Sequence, residues 1–358
     1  MVIGKIHPAC KQYLWGGEKL IREYGISSPK TPLAEAWVLS AHSDGDSRIS
    51  FSEGEVCSEG ESFAEYLKCH PEAVGSFGKA FPFFPTLIKL IDAKKALSIQ
   101  VHPDDSFALS REGQYGKTEM WIVLEREEGA FLYFGFQKDY TEEEIRRAIE
   151  EENFPSLLCK VMVEPGDVFF IPAGTVHAIG AGILLAEVQQ NSNLTYRVYD
   201  YGRKDVQGNT RELHVEKALE VMNRKQLSAY RQEEFKKQGK KPVGENAYLE
   251  QIGSCEYFTV DRLFLEENAF YGGKLTEESF LSLLVLEGEG VLTAETKYAK
   301  ENHSDGSPEY KEETYSSKGQ KSKCFVKKGE SYFLPAEEGQ WSLKGTGKFL
   351  LTFLSEKN

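Results

Sequence analysis

Two stretches of the 358-residue chain, VEPGDVFFIPAGTVHAI (163–179) and VKKGESYFLPAEEGQWSL (326–343), follow one pattern. In each, a valine stands three residues before a glycine and a proline six residues after it, with aromatic or aliphatic residues between (Gly166 to Pro172, Gly329 to Pro335). Upstream of each lies a matching apolar run, WIVLEREEGAFLYF and LSLLVLEGEGVLTA. Self-similarity of this kind means that one supersecondary unit occurs twice. Other short runs (EAWVLSA, LSIQV, GILLAEVQQ, YFTVDRLFL, KFLLTFL) are β-rich and divided by Gly, Pro and acidic turns, with no regular alternation of helices. Such a chain folds as sandwiches or barrels, mainly β, rather than around a parallel sheet.

Helices are a minority. Thr141 with Glu144 makes a capping-box pair ahead of Ile145, Ala148 and Ile149, which predicts a helix over about 141–152. Asn209 with Glu212 does likewise ahead of Val215, Ala218, Leu219 and Met222, and the pattern runs on to about 236. The basic, glycine-containing end of that segment reads as a linker, dividing the chain into 1–242 and 243–358. A polar segment, 294–323, interrupts the second half and reads as an exposed, mobile loop.

Eleven residues after the glycine the copies diverge: the first has His177, the second Gln340. The first half also holds LSIQVHPDD, in which Leu97, Ile99 and Val101 alternate with Ser98, Gln100 and His102. As a strand it turns one apolar face to the core and a row of hydroxyl, amide and imidazole the other way. With Glu119 just before MWIVL, the first half offers two imidazoles, an amide oxygen and a carboxylate. This mixed set suits Zn²⁺ and also accepts Mn²⁺ or Fe²⁺. Singly, a strand histidine is more often a hydrogen-bonded structural residue than a ligand; the combination in one chain reverses that expectation. His7, His42, His70 and His214 read as structural or surface residues, and Lys89 with Asp92 as a structural pair.

A net charge of −13 argues against a surface for nucleic acid or anionic lipid, while leaving room for a basic pocket that takes a small anion. The six cysteines are scattered without a C-x-x-C pair and read as reduced thiols. Lysine and proline interrupt the N-terminus where a signal peptide needs an apolar core, and no run approaches membrane-spanning length, so a cytoplasmic protein is expected.

The Pro172, Gly174, His177 spacing after a glycine-started strand resembles the cupin motif, and its two copies resemble a bicupin. Together with YLWGGEKL, FPTLIKLIDAKKALSIQVHPDD, GKTEMWIVL and IPAGTVHAIGAGILLAEVQQNSNLTYRVYDYGR, the chain resembles the type I phosphomannose isomerases in their shorter bacterial form. The specific blocks span roughly residues 5–220; the C-terminal half matches in layout. The resemblance implies two cupin (double-stranded β-helix) domains: a catalytic 1–242 and a metal-free 243–358. It implies Gln100, His102, Glu119 and His177 as ligands of one Zn²⁺, and Arg197, Glu187 and Lys117 as catalytic residues. It further implies Trp15, Ser98 and Arg203 or Lys204 at the substrate, with Ser98 near its phosphate.

The implied reaction moves a proton between the adjacent carbons of mannose 6-phosphate and fructose 6-phosphate through an enediol. It needs a fixed cation for the developing oxyanion and a base. Glu187 and Lys117 both remain open as the base. Glu187 is alternatively an ion-pair partner that orients Arg197, Lys117 a phosphate ligand, and Trp15 either a floor for the sugar or filler of the barrel mouth. The expected partner is a small sugar phosphate, with neither nucleic acid nor membrane, in a monomer or weak homodimer. A metal-bound bicupin that binds phosphorylated sugars without turnover is the alternative, and a cupin dioxygenase a weaker third.

Overall fold

A computed structural model describes residues 3–51, 60–204, 207–226, 239–296, 299–300, 315–316 and 320–356. The protein is mainly β, and its chain forms two compact units. One comprises 8–47 and 85–239, the other 1–7, 48–84 and 240–358. The division is therefore not the contiguous one expected at 242/243. Gly4–His7 pairs antiparallel with Ser331–Leu334, and Phe63 and Tyr66 of the helix Phe63–Cys69 pack their rings on Phe333. These early segments complete the hydrophobic surface of the C-terminal unit.

The unit of 8–47 and 85–239 is built from two antiparallel sheets. One has six strands in the order Val168–Ile171, Glu119–Arg126, Ile183–Gln190, Thr86–Ala93, Glu35–Leu39, Ala9–Lys11. The other has five: Leu158–Met162, Phe131–Phe136, His177–Ile179, Ile99–Val101, Tyr196–Tyr199. Their inner faces supply one apolar cluster, including Ile91, Trp121, Val123 and Leu185 from the first sheet and Leu132, Phe134 and Ile179 from the second. The outer face of the five-stranded sheet is covered by the helices Glu142–Glu150 and Val215–Val221, whose Ile145, Ala218 and Leu219 pack on Ile99, Val101, Ala178 and Val198. Leu97 departs from the expected face. It precedes the strand, its N–H donates to Ile179 O, and it joins Trp15 and Trp121 between the sheets.

In the other unit, long strands dominate one antiparallel sheet, with Phe258–Leu275, Gly339–Phe353 and Leu281–Thr296 side by side around the core of Leu263, Leu283, Val285, Leu343 and Phe349. The sequence repeat is also a structural one. Gly166 and Gly329 both adopt positive φ (98° and 86°), and their N–H groups donate to Val123 O and Val285 O at 2.7 and 2.9 Å. Only glycine takes that backbone conformation freely, which is why it opens the motif in both copies.

The Thr141 capping box forms as expected. The Asn209–Glu212 box does not: the helix begins at Val215 with His214 before it, because Arg211 and Glu212 are engaged elsewhere, as described below. Residues 227–238, most of 294–323 and Cys57 lie outside the described residues. Among the described residues no helix is long and apolar enough to cross a membrane.

Candidate metal centre and active site

Gln100 lies directly opposite His177 on one neighbouring strand and Arg197 on the other. Directly opposed residues project from the same face of a sheet, so these three side chains form a row on the inner face. His102, two residues on from Gln100, shares that face. Glu119 enters from the first residue of its strand in the facing sheet. His102, Glu119 and His177 are fully buried and bring their ligand atoms within 4.8 Å of one another.

The two imidazoles are oriented by the backbone. His102 Nδ1 lies 2.8 Å from Leu194 O and His177 Nδ1 2.9 Å from Thr175 O. A carbonyl only accepts, so both Nδ1 atoms carry the proton and both Nε2 atoms face the centre. There His177 Nε2 stands 3.1 Å from Glu119 Oε1, and His102 Nε2 3.6 Å from Glu119 Oε2. Neither carboxylate oxygen accepts a hydrogen bond of good geometry, although both are buried. The Gln100 amide ends 3.4 Å from His177 Nε2, and a half-turn of the amide presents its oxygen there. With the amide so turned, four acceptor groups converge beside the single Lys117 ammonium, an arrangement that one divalent ion would satisfy. The residues present fit a borderline metal ion with mixed N/O ligands.

Lys117 covers one side of this cluster, with Nζ 2.7 Å from Glu119 Oε2, 3.3 Å from His102 Nε2 and 3.7 Å from Glu187 Oε1. Burial opposes its ammonium, but Glu119 and Glu187 outweigh that and hold its pKa above the ordinary lysine value. Burial likewise opposes the Glu119 carboxylate, yet Lys117 and the two imidazoles hold its pKa well below the usual range. Burial, and then the Lys117 charge, press the His102 pKa well down. Glu187 Oε2 accepts from Trp121 Nε1 at 2.8 Å, while Oε1 meets Lys89 Nζ at 3.2 Å without a well-formed hydrogen bond. Lys89 in turn lies over the Trp37 ring.

Glu187 therefore pairs with Lys89 and Lys117, not with Arg197, because it stands on the opposite sheet. Lys89 and Asp92 are not a pair either. Three apart on a strand they face opposite ways, and Asp92 accepts from Lys19 N at 2.8 Å. Lys89 is thus a member of the site that sequence reading set aside; its signal was a charge within the mainly apolar strand Thr86–Ala93.

Ser98 is buried two residues before Gln100, and Trp15 is buried in the apolar cluster, stacked on Tyr13 at 5.4 Å between centroids. Arg197 donates from Nη1 to Glu212 O at 2.8 Å. Arg203 is engaged by Asp200 and by the carbonyl of Ala96, so it braces the chain ahead of Ser98. Lys204 is exposed. Sequence reading missed Asp200 and Arg211, whose partnership is purely tertiary: Arg211 Nε donates to Asp200 Oδ2 at 2.8 Å.

A buried His/Glu/His cluster between the two sheets, with an amide beside it and a lysine–glutamate chain behind it, marks a candidate metal site in a mainly β fold of the cupin class. Residues 3–124 match the description "Phosphomannose isomerase type I, catalytic domain". The chain is 32% identical over 358 residues to the mannose-6-phosphate isomerase ManA of Bacillus subtilis, covering 97% of each. It is 42% identical over 209 residues to a mannose-6-phosphate isomerase of Streptococcus mutans, covering 58% of this chain and 64% of that one. The crystal structure of a mannose 6-phosphate isomerase from Bacillus subtilis superposes with a TM-score of 0.80 at 30% identity, covering 98% of this chain and 99% of that one. The chain belongs to the type I phosphomannose isomerase family.

Proposed function

We propose that the protein interconverts D-mannose 6-phosphate and D-fructose 6-phosphate by proton transfer through an enediol, with one zinc ion held by Gln100, His102, Glu119 and His177. The observation that carries this reading is the convergence of two backbone-oriented Nε2 atoms on the buried Glu119 oxygens. When bound, the ion supplies a fixed positive charge next to the oxygen on which negative charge develops. Arg197, on the same face as Gln100, adds a charge that does not titrate. Glu187 takes the proton from one carbon and returns it to the next. Its Oε1 makes no well-formed hydrogen bond, although Lys89 and Lys117 stand 3.2 and 3.7 Å away, while Trp121 fixes the other oxygen and thereby the direction of Oε1. Lys117 donates to a substrate oxygen, and its reach to both Glu119 and Glu187 ties base and metal site into one rigid group. Ser98, with Arg203 and Lys204, serves the phosphate end, and Trp15 supports the site from the apolar layer. The protein acts in the cytoplasm as a monomer or weak homodimer, without nucleic acid or membrane.

The test is turnover of fructose 6-phosphate to mannose 6-phosphate before chelation, after it, and with Zn²⁺ restored. Activity is expected to vanish with the chelator and return with zinc. No turnover in the zinc-restored protein overturns the isomerase reading, and turnover that survives exhaustive chelation overturns the role of the metal.

A further inference from the structure

Asp200 is a buried carboxylate just beyond the strand Tyr196–Tyr199, and both of its oxygens are taken by arginines. Arg211 grips it with two donors, Nε to Oδ2 at 2.8 Å and Nη2 to Oδ1 at 2.5 Å. Arg203 approaches from the other side, Nε donating to Oδ1 at 3.1 Å, and its Nη1 donates to Ala96 O, two residues before Ser98. A two-point grip on a carboxylate fixes a guanidinium in orientation as well as position.

The consequence falls on Arg197. The residue after Arg211, Glu212, supplies the carbonyl that receives Arg197 Nη1 at 2.8 Å. Two residues further on, His214 N donates to Arg197 O at 2.8 Å, and Arg197 N donates to His214 Nδ1 at 3.2 Å. The segment 211–214 thus holds both the main chain and the side chain of Arg197, and the segment itself is pinned at its start to Asp200. Arg197 Nε is buried without a hydrogen bond, so its guanidinium has no second anchor through that atom.

We infer that Asp200 is a positioning residue for the reaction: through Arg211 and the Glu212 carbonyl it sets the direction of the Arg197 guanidinium, and through Arg203 it ties that arrangement to the chain leading into Ser98 and Gln100. This rests on the isomerase reading and on the charge role of Arg197. Charge alone predicts the opposite effect. Arg197, Arg203 and Arg211 around one carboxylate leave a net positive group, and neutralising Asp200 makes it more positive, which by itself favours an anionic substrate.

Asp200→Asn, nearly isosteric, separates the two. Held in the zinc-loaded full chain, it is expected to lower kcat about 10- to 100-fold, since a small misplacement of an oriented group costs that much. Asp200→Glu is expected to recover part of the loss. In an Arg197→Lys background, which has no guanidinium to orient, adding Asp200→Asn is expected to cost less than about 2-fold more, the non-additivity of residues acting in one chain of contacts. Arg211→Gln, which keeps Asp200, is expected to reproduce the effect and serves if the Asp200 variant does not fold. Full kcat in Asp200→Asn and Arg211→Gln, or losses that multiply in the Arg197→Lys background, overturns the inference. An inactive parent enzyme overturns the isomerase reading instead.

Discussion

At the scale of single residues, the site is a set of buried charges and lone pairs that stabilise one another only when complete. Lys89 and Glu187 are both buried and 3.2 Å apart. Lys89→Met leaves the carboxylate with Lys117 alone at 3.7 Å. Removing one member of a buried pair costs about 3–5 kcal/mol, and the second lysine places this case toward the lower end. The expected result is a lower urea midpoint with an unchanged slope, and an unchanged midpoint would show that the pair is solvated. Gln100→Ala is expected to weaken zinc retention at least about 10-fold, since even partners outside the ligand set cost that much. Zinc content after dialysis against a graded chelator measures it, and parent-like retention removes Gln100 from the ligand set. His102, Glu119 and His177, which the fold brings together, were singled out in the chain along with Gln100: strand alternation sets Gln100 and His102 off from Ile99 and Val101, and the divergence of the repeat marks His177. Lys89 was not, since its partner Glu187 lies on a strand that only the sheet order makes its neighbour.

At the scale of elements, close backbone approach decides where His177 stands. A Cβ added at Gly180 would lie 2.0 Å from Phe131 O, a main-chain atom in the neighbouring strand. Gly180→Ala is expected to cost about 1–3 kcal/mol through overpacking and to loosen zinc binding with it, because the strand His177–Ile179 must shift. A thermal melt and metal analysis on one sample test both; a lowered Tm with full zinc retention would uncouple the glycine from the site. Thr141→Ala removes an N-cap and is expected to cost about 1 kcal/mol without touching turnover. The Thr141 box was readable because its partners are three residues apart. The start of the later helix was misread because Glu212, the expected cap partner of Asn209, is held out of the helix: its carbonyl accepts from Arg197, and Arg211 before it is gripped by Asp200.

At the scale of the molecule, the unit of 1–7, 48–84 and 240–358 carries a pH-dependent element of its own. Burial raises the Asp261 carboxyl from 3.8 to about 6, with Lys241 only partly opposing. The folded state therefore holds that proton more tightly than the unfolded chain does. The stability this contributes is fully present below about pH 4 and is lost as pH rises through about 6. Asp261→Asn is expected to melt above the parent at pH 7–8 and together with it near pH 4; a difference that does not change with pH would refute the assignment.

Period-two alternation, glycine-started strands and the doubled motif are local properties, and from them the sequence by itself determined a mainly β chain with two copies of one unit and a candidate metal site in the first. Which segments complete which unit was decided only in three dimensions. Gly4–His7 has no local mark that directs it to Ser331–Leu334, because strand pairing is set by the edge and the apolar surface left open to it. The same holds within the site. The candidate ligands were marked by residue type and spacing, but Glu187 with Lys89, and Asp200 with Arg211, became partners only because folding removed water and left each charge the neighbour that costs least to keep.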